Sequence, residues 1–243
     1  MHRELTLSRR PALLFAREHL RSALTLALLI TLPPIFVIAA SAVLSPFATA
    51  LGGNVAGQQA SALGAGWAVA FLAGALGYFQ TSSSRDADRR LARAGLGAFR
   101  TATGRLLSSL VICVLLTLVA ATALWLKQPI PHLAHTLLAM LAYAAIYLGI
   151  GTAVGAVVTD ELAGSLAVVF VFILDVFAGP GMAPPAHGLG QLLTPSRYAG
   201  ELLLEAGAGT SSSAADWRQA AISVLIALAA ALTVFWLSAR RRT

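Results

Sequence analysis

Charge is scarce in this sequence. Asp, Glu, Lys and Arg together make up 11% of its 243 residues, against about 25% in soluble domains, which is too little to cover the surface of a water-soluble fold. Cysteine is nearly absent too: Cys113 stands alone within an apolar run, which excludes a disulfide framework and a cysteine-based metal site. No G-x-x-x-x-G-K-[ST] loop and no H-E-x-x-H motif occurs, so the chain lacks the residues for nucleotide hydrolysis and for zinc-dependent proteolysis. His132, His135 and His187 fall in expected links between apolar runs and form no ligand set. A hydrolase working inside the membrane would need a nucleophile beside a base within the apolar runs, and no such pair is visible. The sequence therefore argues against an enzyme.

Apolar residues are plentiful, at 58% against roughly 45–50% in soluble proteins. They gather into runs long enough to cross about 30 Å of hydrocarbon, which takes about 20 residues of helix. Six runs qualify, at about 22–44, 62–79, 106–126, 136–158, 162–178 and 217–237. Pro33 and Pro34 should kink the first. The charge-free stretch 45–61, with Gly52 and Gly53, reads as an outer link, and the Gly- and Ser-rich stretch 207–213 as a flexible one.

The few charges are distributed unevenly. Fourteen of the 17 Lys and Arg residues lie in three segments: Arg3, Arg9, Arg10, Arg17 and Arg21; Arg85, Arg89, Arg90, Arg93, Arg100 and Arg105; and Arg240, Arg241 and Arg242. Short basic loops stay on the cytoplasmic side, so both termini and the middle loop are expected inside, with an even number of spans between them. The net charge of +7 is not interleaved with aromatics as in a nucleic-acid stripe, which makes anionic lipid the expected partner and nucleic acid an unexpected one. The start is too polar and basic for a cleavable signal. Residues 11–21 read instead as an interfacial helix, with Ala12, Leu13, Phe15, Ala16 and Leu20 on one side, Arg10, Arg17, Glu18 and Arg21 on the other, and Leu14 the one misfit. The expected fold is an all-α membrane protein: an interfacial helix over 1–21, then one six-span domain over 22–243.

The segment between the last two spans breaks this regularity. Gly179-Pro180-Gly181-Met182-Ala183-Pro184-Pro185 ends the fifth run, yet 189–204 is too apolar for a solvated loop. Non-helical backbone at membrane depth must be buried in protein or line a wet cavity, so a re-entrant helical hairpin is expected there, its second helix opened by Pro195. Asp175 is the one acid in an apolar run. A mid-bilayer Asp costs about 2.5–3.5 kcal/mol, so Asp175 is expected near headgroup depth or facing the re-entrant segment, with Arg197 as a candidate partner and a cationic substrate as an alternative. Ala62, Gly66, Ala70 and Gly74, and likewise Gly151 and Gly155, recur every four residues, which allows close helix approach within one subunit or between two.

In its order of parts the chain resembles the ABC-2 type permeases, the separate membrane subunits of ATP-driven exporters. The shared parts are an interfacial helix, six spans, a charged inner loop after the second and an outer hairpin after the fifth. Leu193-Thr194-Pro195-Ser196-Arg197-Tyr198 resembles the family's Leu-x-Pro-x-x-Tyr stretch at that hairpin, and the residues from Asp88-Arg89-Arg90-Leu91 through Gly97 and from Arg100 to Leu106 its inner loop, a short helix and then a polar turn. The resemblance implies a partner ATPase that holds the ATP and Mg, and a second permease subunit. It implies coupling through Asp86, Asp88, Arg89, Arg90 and Arg93, with Asp160 and Glu161 as a smaller contact. Phe71, Tyr78, Phe170, Phe172 and Asp175 become candidates for the substrate path, and Pro195, Arg197 and Tyr198 the hairpin motif. An amphipathic or hydrophobic cargo such as a drug, lipid or peptide is expected, at a cytoplasmic membrane that the Ala, Gly and Arg content marks as bacterial. An ATPase-independent secondary transporter, or a membrane accessory or immunity protein, is the alternative.

Overall fold

In hydrocarbon every backbone N–H and C=O has to be satisfied within its own segment, and the apolar runs obey: in the computed structural model each of the six is a helix. The structure describes residues 23–50, 55–85, 87, 98–182 and 194–240. Among the described residues there are seven helices and no strand: α1 (Ala23–Ala50), α2 (Gly57–Ser83), α3 (Ala98–Lys127), α4 (Leu133–Val157), α5 (Glu161–Ala178), α6 (Arg197–Ala208) and α7 (Ala214–Arg240). All but α6 are long and apolar enough to cross a membrane. The chain is a multi-pass membrane protein.

Several helices run further than the apolar runs suggested. Residues 45–50 continue α1 and 57–61 open α2, so the expected outer link over 45–61 is mostly helical. Pro46 sits near the end of α1, where its missing N–H removes one hydrogen bond to the turn before it. Arg100 to Leu106, expected as a polar turn, instead forms part of the start of α3. His135, expected in a link, lies in the first turn of α4. The stretch 207–213 is neither all link nor untethered. Gly207 and Ala208 belong to α6, Gly209 closes that helix at φ 71°, and Ser212 accepts from the Trp217 indole N–H at 3.0 Å. The positive φ is the left-handed stop that glycine adopts at low steric cost.

At the centre lies α2, buried at every residue from Ala60 to Ala70. It runs against α4 through glycines on both sides. A Cβ on Gly151 would meet the Gly74 carbonyl oxygen, one on Gly155 would lie 2.8 Å from the Tyr78 oxygen, and one on Gly77 2.6 Å from the Leu148 oxygen. These small residues therefore pack within the chain. A polar tie joins α2 to α3, where the Gln80 side chain lies between Ser108, 3.4 Å from its Nε2, and Ser109, which donates to its Oε1. Interhelical bonds of this kind stabilise by about 0.6 kcal/mol each in a bilayer. α1, α5 and α7 flank this core with large apolar side chains exposed, among them Ile38, Phe170 and Leu225.

Helix α6 is short, and its apolar residues fall on one face. Ala199, Leu202, Leu203 and Ala206 are buried, at the i, i+3, i+4, i+7 spacing of a helix with one apolar side. Leu203 lies against Gly66 of α2, and Gly200 against Pro180 and the Tyr143 hydroxyl. From α2, Gln59 donates to the Leu204 carbonyl at 3.3 Å while accepting from the Ala56 N–H at 3.0 Å.

Candidate functional site

Two clusters of polar side chains lie at opposite ends of the bundle. The first joins the end of α2 to the turn between α4 and α5. A helix ends with carbonyls that have no partner inside it, and Arg85 supplies one from outside. Its Nε and Nη2 donate to the Gly155 carbonyl at 3.1 and 2.5 Å, and Nη2 donates also to Val158. A cation at a helix C-terminus is favoured by the helix dipole as well. Seven residues earlier, on α2, buried Tyr78 donates to the Glu161 carbonyl at 2.9 Å, and its ring fills the space that a side chain at Gly164 would need. Asp160 caps α5 by accepting from the Ala163 N–H at 2.7 Å. Asp160 and Glu161 are exposed, so this end of the protein presents two carboxylates on a turn braced by Tyr78 and Arg85. The other expected coupling residues, Asp86, Asp88, Arg89, Arg90 and Arg93, lie outside the described residues, as does the interfacial helix over 1–21.

The second cluster centres on Asp175, only 4% exposed. Its Oδ2 accepts from the Tyr147 hydroxyl of α4 at 2.6 Å and from the Ser196 hydroxyl just ahead of α6. The hydroxyl of Tyr143, one turn before Tyr147, interacts with Ser196 and Trp67. Arg197, named from sequence as a candidate partner of Asp175, is directed elsewhere: it pairs with Glu201 at 2.8 Å. Four residues apart on one helix, that pair needs no tertiary contact. Pro195 lies in the turn before α6, and half-buried Tyr198 packs on the core.

The candidates for the substrate path divide into three places. Phe71 and Phe172 meet edge to face with centroids 5.3 Å apart, and Phe172 also meets Tyr147 at 5.8 Å, close to Asp175. Tyr78 belongs to the other cluster. Phe170 is 62% exposed and turned away from both. Sequence reasoning missed Tyr147, Ser196 and the bracing role of Arg85. A signal for the first was available, because two tyrosines four apart in an apolar run carry hydroxyls that need partners. No group of three or more His, Cys, Asp or Glu among the described residues is placed to hold a metal. Neither a protein-family model nor a curated protein matches the chain.

Proposed function

We propose that the chain is the membrane subunit of an ATP-driven exporter of the ABC-2 type, working as a dimer with itself or a similar subunit above two ATPase subunits. In this reading the Arg85 end faces the cytoplasm, the α6 end faces outward, and α6 is the second helix of a re-entrant hairpin. ATP-driven closure of the ATPases pushes the inner loop and opens an outward path for an amphipathic or hydrophobic cargo. The observation that carries the reading is the bracing of the α4–α5 turn by Tyr78 and Arg85. It would let one push on the basic segment after α2 reach Asp160, Glu161 and the start of α5 together. The lack of a nucleotide loop in the sequence is consistent with hydrolysis in a separate partner.

The test is affinity purification from native membrane in mild detergent, followed by mass spectrometry. A near-stoichiometric soluble ATPase with a Walker A motif is expected, and it should be lost when Arg89, Arg90 and Arg93 are changed to Glu. Recovery of the folded chain alone overturns the proposal. One observation would then favour an ATPase-independent carrier, namely the carboxylate of Asp175 buried between α4, α5 and α6, since ion-coupled carriers use such groups.

A further inference from the structure

Asp175 is held firmly, but no cation of the described protein faces it. Both of its hydrogen bonds from side chains arrive on Oδ2, from Tyr147 and Ser196. Oδ1 is buried and takes no hydrogen bond from any described residue. The groups that act on the carboxyl are the Tyr147 and Ser196 hydroxyls and the Ser196 backbone. Arg197, next to Ser196 at the start of α6, pairs with Glu201; Lys127 donates to Val37 and Ser41 of α1, and Arg85 lies at the opposite end of the bundle on the end of α4. Removing a carboxylate from water costs several kcal/mol unless its charge is met. In a membrane chain such a residue marks an ion or substrate pathway by default.

The surroundings indicate which kind of cation would meet it. Phe172 lies three residues before Asp175 on the same face of α5, edge-on to Tyr147 at 5.8 Å and to Phe71 at 5.3 Å. Phe71 in turn stacks on Phe36 of α1, with centroids 6.4 Å apart. These rings form a file from α1 through α2 to α5, with the carboxylate at its end, and Phe36 and Phe71 are only half-buried. Ring faces attract organic cations by about 0.5–2 kcal/mol each, more as water is excluded. Small-molecule sites are typically apolar and aromatic with a few fixed polar groups. A calcium ion would find one carboxylate and two hydroxyls, fewer than the roughly six to eight oxygens it takes.

We propose that Asp175, together with Phe172, Tyr147 and Phe71, binds the charged end of a lipophilic organic monocation, and that the cargo of this transporter carries one such charge. Ser196 and Tyr147 hold Oδ2 so that Oδ1 is the atom offered to the cation. The inference rests on the transporter reading above, but not on how transport is energised.

The experiment uses the full chain in lipid nanodiscs with no ATPase present. Binding of radiolabelled tetraphenylphosphonium is compared with binding of tetraphenylborate, which has the same shape and the opposite charge, and empty nanodiscs supply the background. Saturable binding of the phosphonium alone is expected. Asp175→Asn should weaken it at least tenfold, while Asp175→Glu should stay within about threefold and Phe172→Ala should weaken it about fivefold. The Asn carboxamide oxygen still accepts from Tyr147 and Ser196, and thermal unfolding checks that the variant is folded. If it is not, the phosphonium-to-borate contrast in the wild-type chain decides alone. Equal binding of both probes, no saturable binding of the phosphonium, or full binding by folded Asp175→Asn overturns the proposal. Because no ATPase takes part, a positive result stands even where none co-purifies, and a negative one leaves the exporter reading untouched.

Discussion

The contact between α2 and α4 and the seating of α5 show two ways of holding a helix in a membrane. Of the apolar stretch of α2, 72% of residues are buried, against 22% in α5. Between α2 and α4 the backbones touch, because Gly74, Gly77, Gly151 and Gly155 leave nothing between them. Such a contact cannot shift without a clash. α5 packs through only a few buried residues, Gly164, Val168 and Phe172, and is tied near its ends by polar contacts, Tyr78 on Glu161 at one and Tyr147 with Ser196 on Asp175 at the other. In lipid, where apolar burial gives little drive for association, packing and hydrogen bonds must serve instead. The α2–α4 contact rests on packing, whereas α5 adds hydrogen bonds to a thinner packing, and hydrogen bonds can be exchanged one at a time.

Substitutions can test this contrast. Gly151→Leu should give the largest effect. Its side chain would enter the backbone of α2 at Gly74, costing about 3 kcal/mol or more, and the chain should lose its thermal transition in detergent or fail to accumulate. Equal stability to the wild type would sink the account of a tightly closed α2–α4 contact. Arg85→Ala should cost about 2 kcal/mol, since its bonds are charge-assisted. Faster hydrogen exchange across the end of α4, with the α6 end unchanged, would localise that loss. Tyr78→Phe removes one hydroxyl and keeps the ring against Gly164, so a loss of about 1 kcal/mol is expected, read as a lower unfolding midpoint. A larger loss would mean that this one hydroxyl carries most of the tie between α2 and the start of α5.

The smallest effect is expected at Glu205 of α6 and depends on pH. Burial pushes its carboxyl above the ordinary value of 4.5, and the negative charges of Asp216 and Glu201 add to the shift. The folded state therefore favours the neutral acid. Its contribution is complete below the ordinary value and is lost as pH rises through the raised one. Glu205→Gln should remove that dependence and modestly stabilise the docked α6 at neutral pH. Hydrogen exchange over 197–208 at about pH 4 and about pH 7 measures it; the same pH response in the variant would exclude Glu205 as its source.

The helices were legible because hydrocarbon leaves a long apolar run almost no other structure. Their ends were not, because a helix may carry polar residues once it leaves the hydrocarbon, as α2 does with Gln58 and Gln59 and α3 with Arg100 and Arg105. Asp175 was visible as an acid in an apolar run, but its partners lie 28 and 21 residues away and only the fold brings them to it. The expectation for Arg197 failed where a local rule would have served, since Glu201 stands four residues on. Tyr78 was read as an aromatic of the core or of a path, and the hydroxyl that anchors the start of α5 was not legible.

The span of sequence bridged by Arg85 also orders how the protein is made. Its acceptors lie 70 and 73 residues further along the chain. At roughly 5–20 residues per second, the ribosome takes several seconds to reach them after Arg85 itself is made. The Gln80 contacts with Ser108 and Ser109, 28 and 29 residues apart, become available much sooner. α2 and α3 can therefore pair as a hairpin before α4 emerges to join them. The glycine seam is closed afterwards, when α4 arrives and the guanidinium meets the end of it.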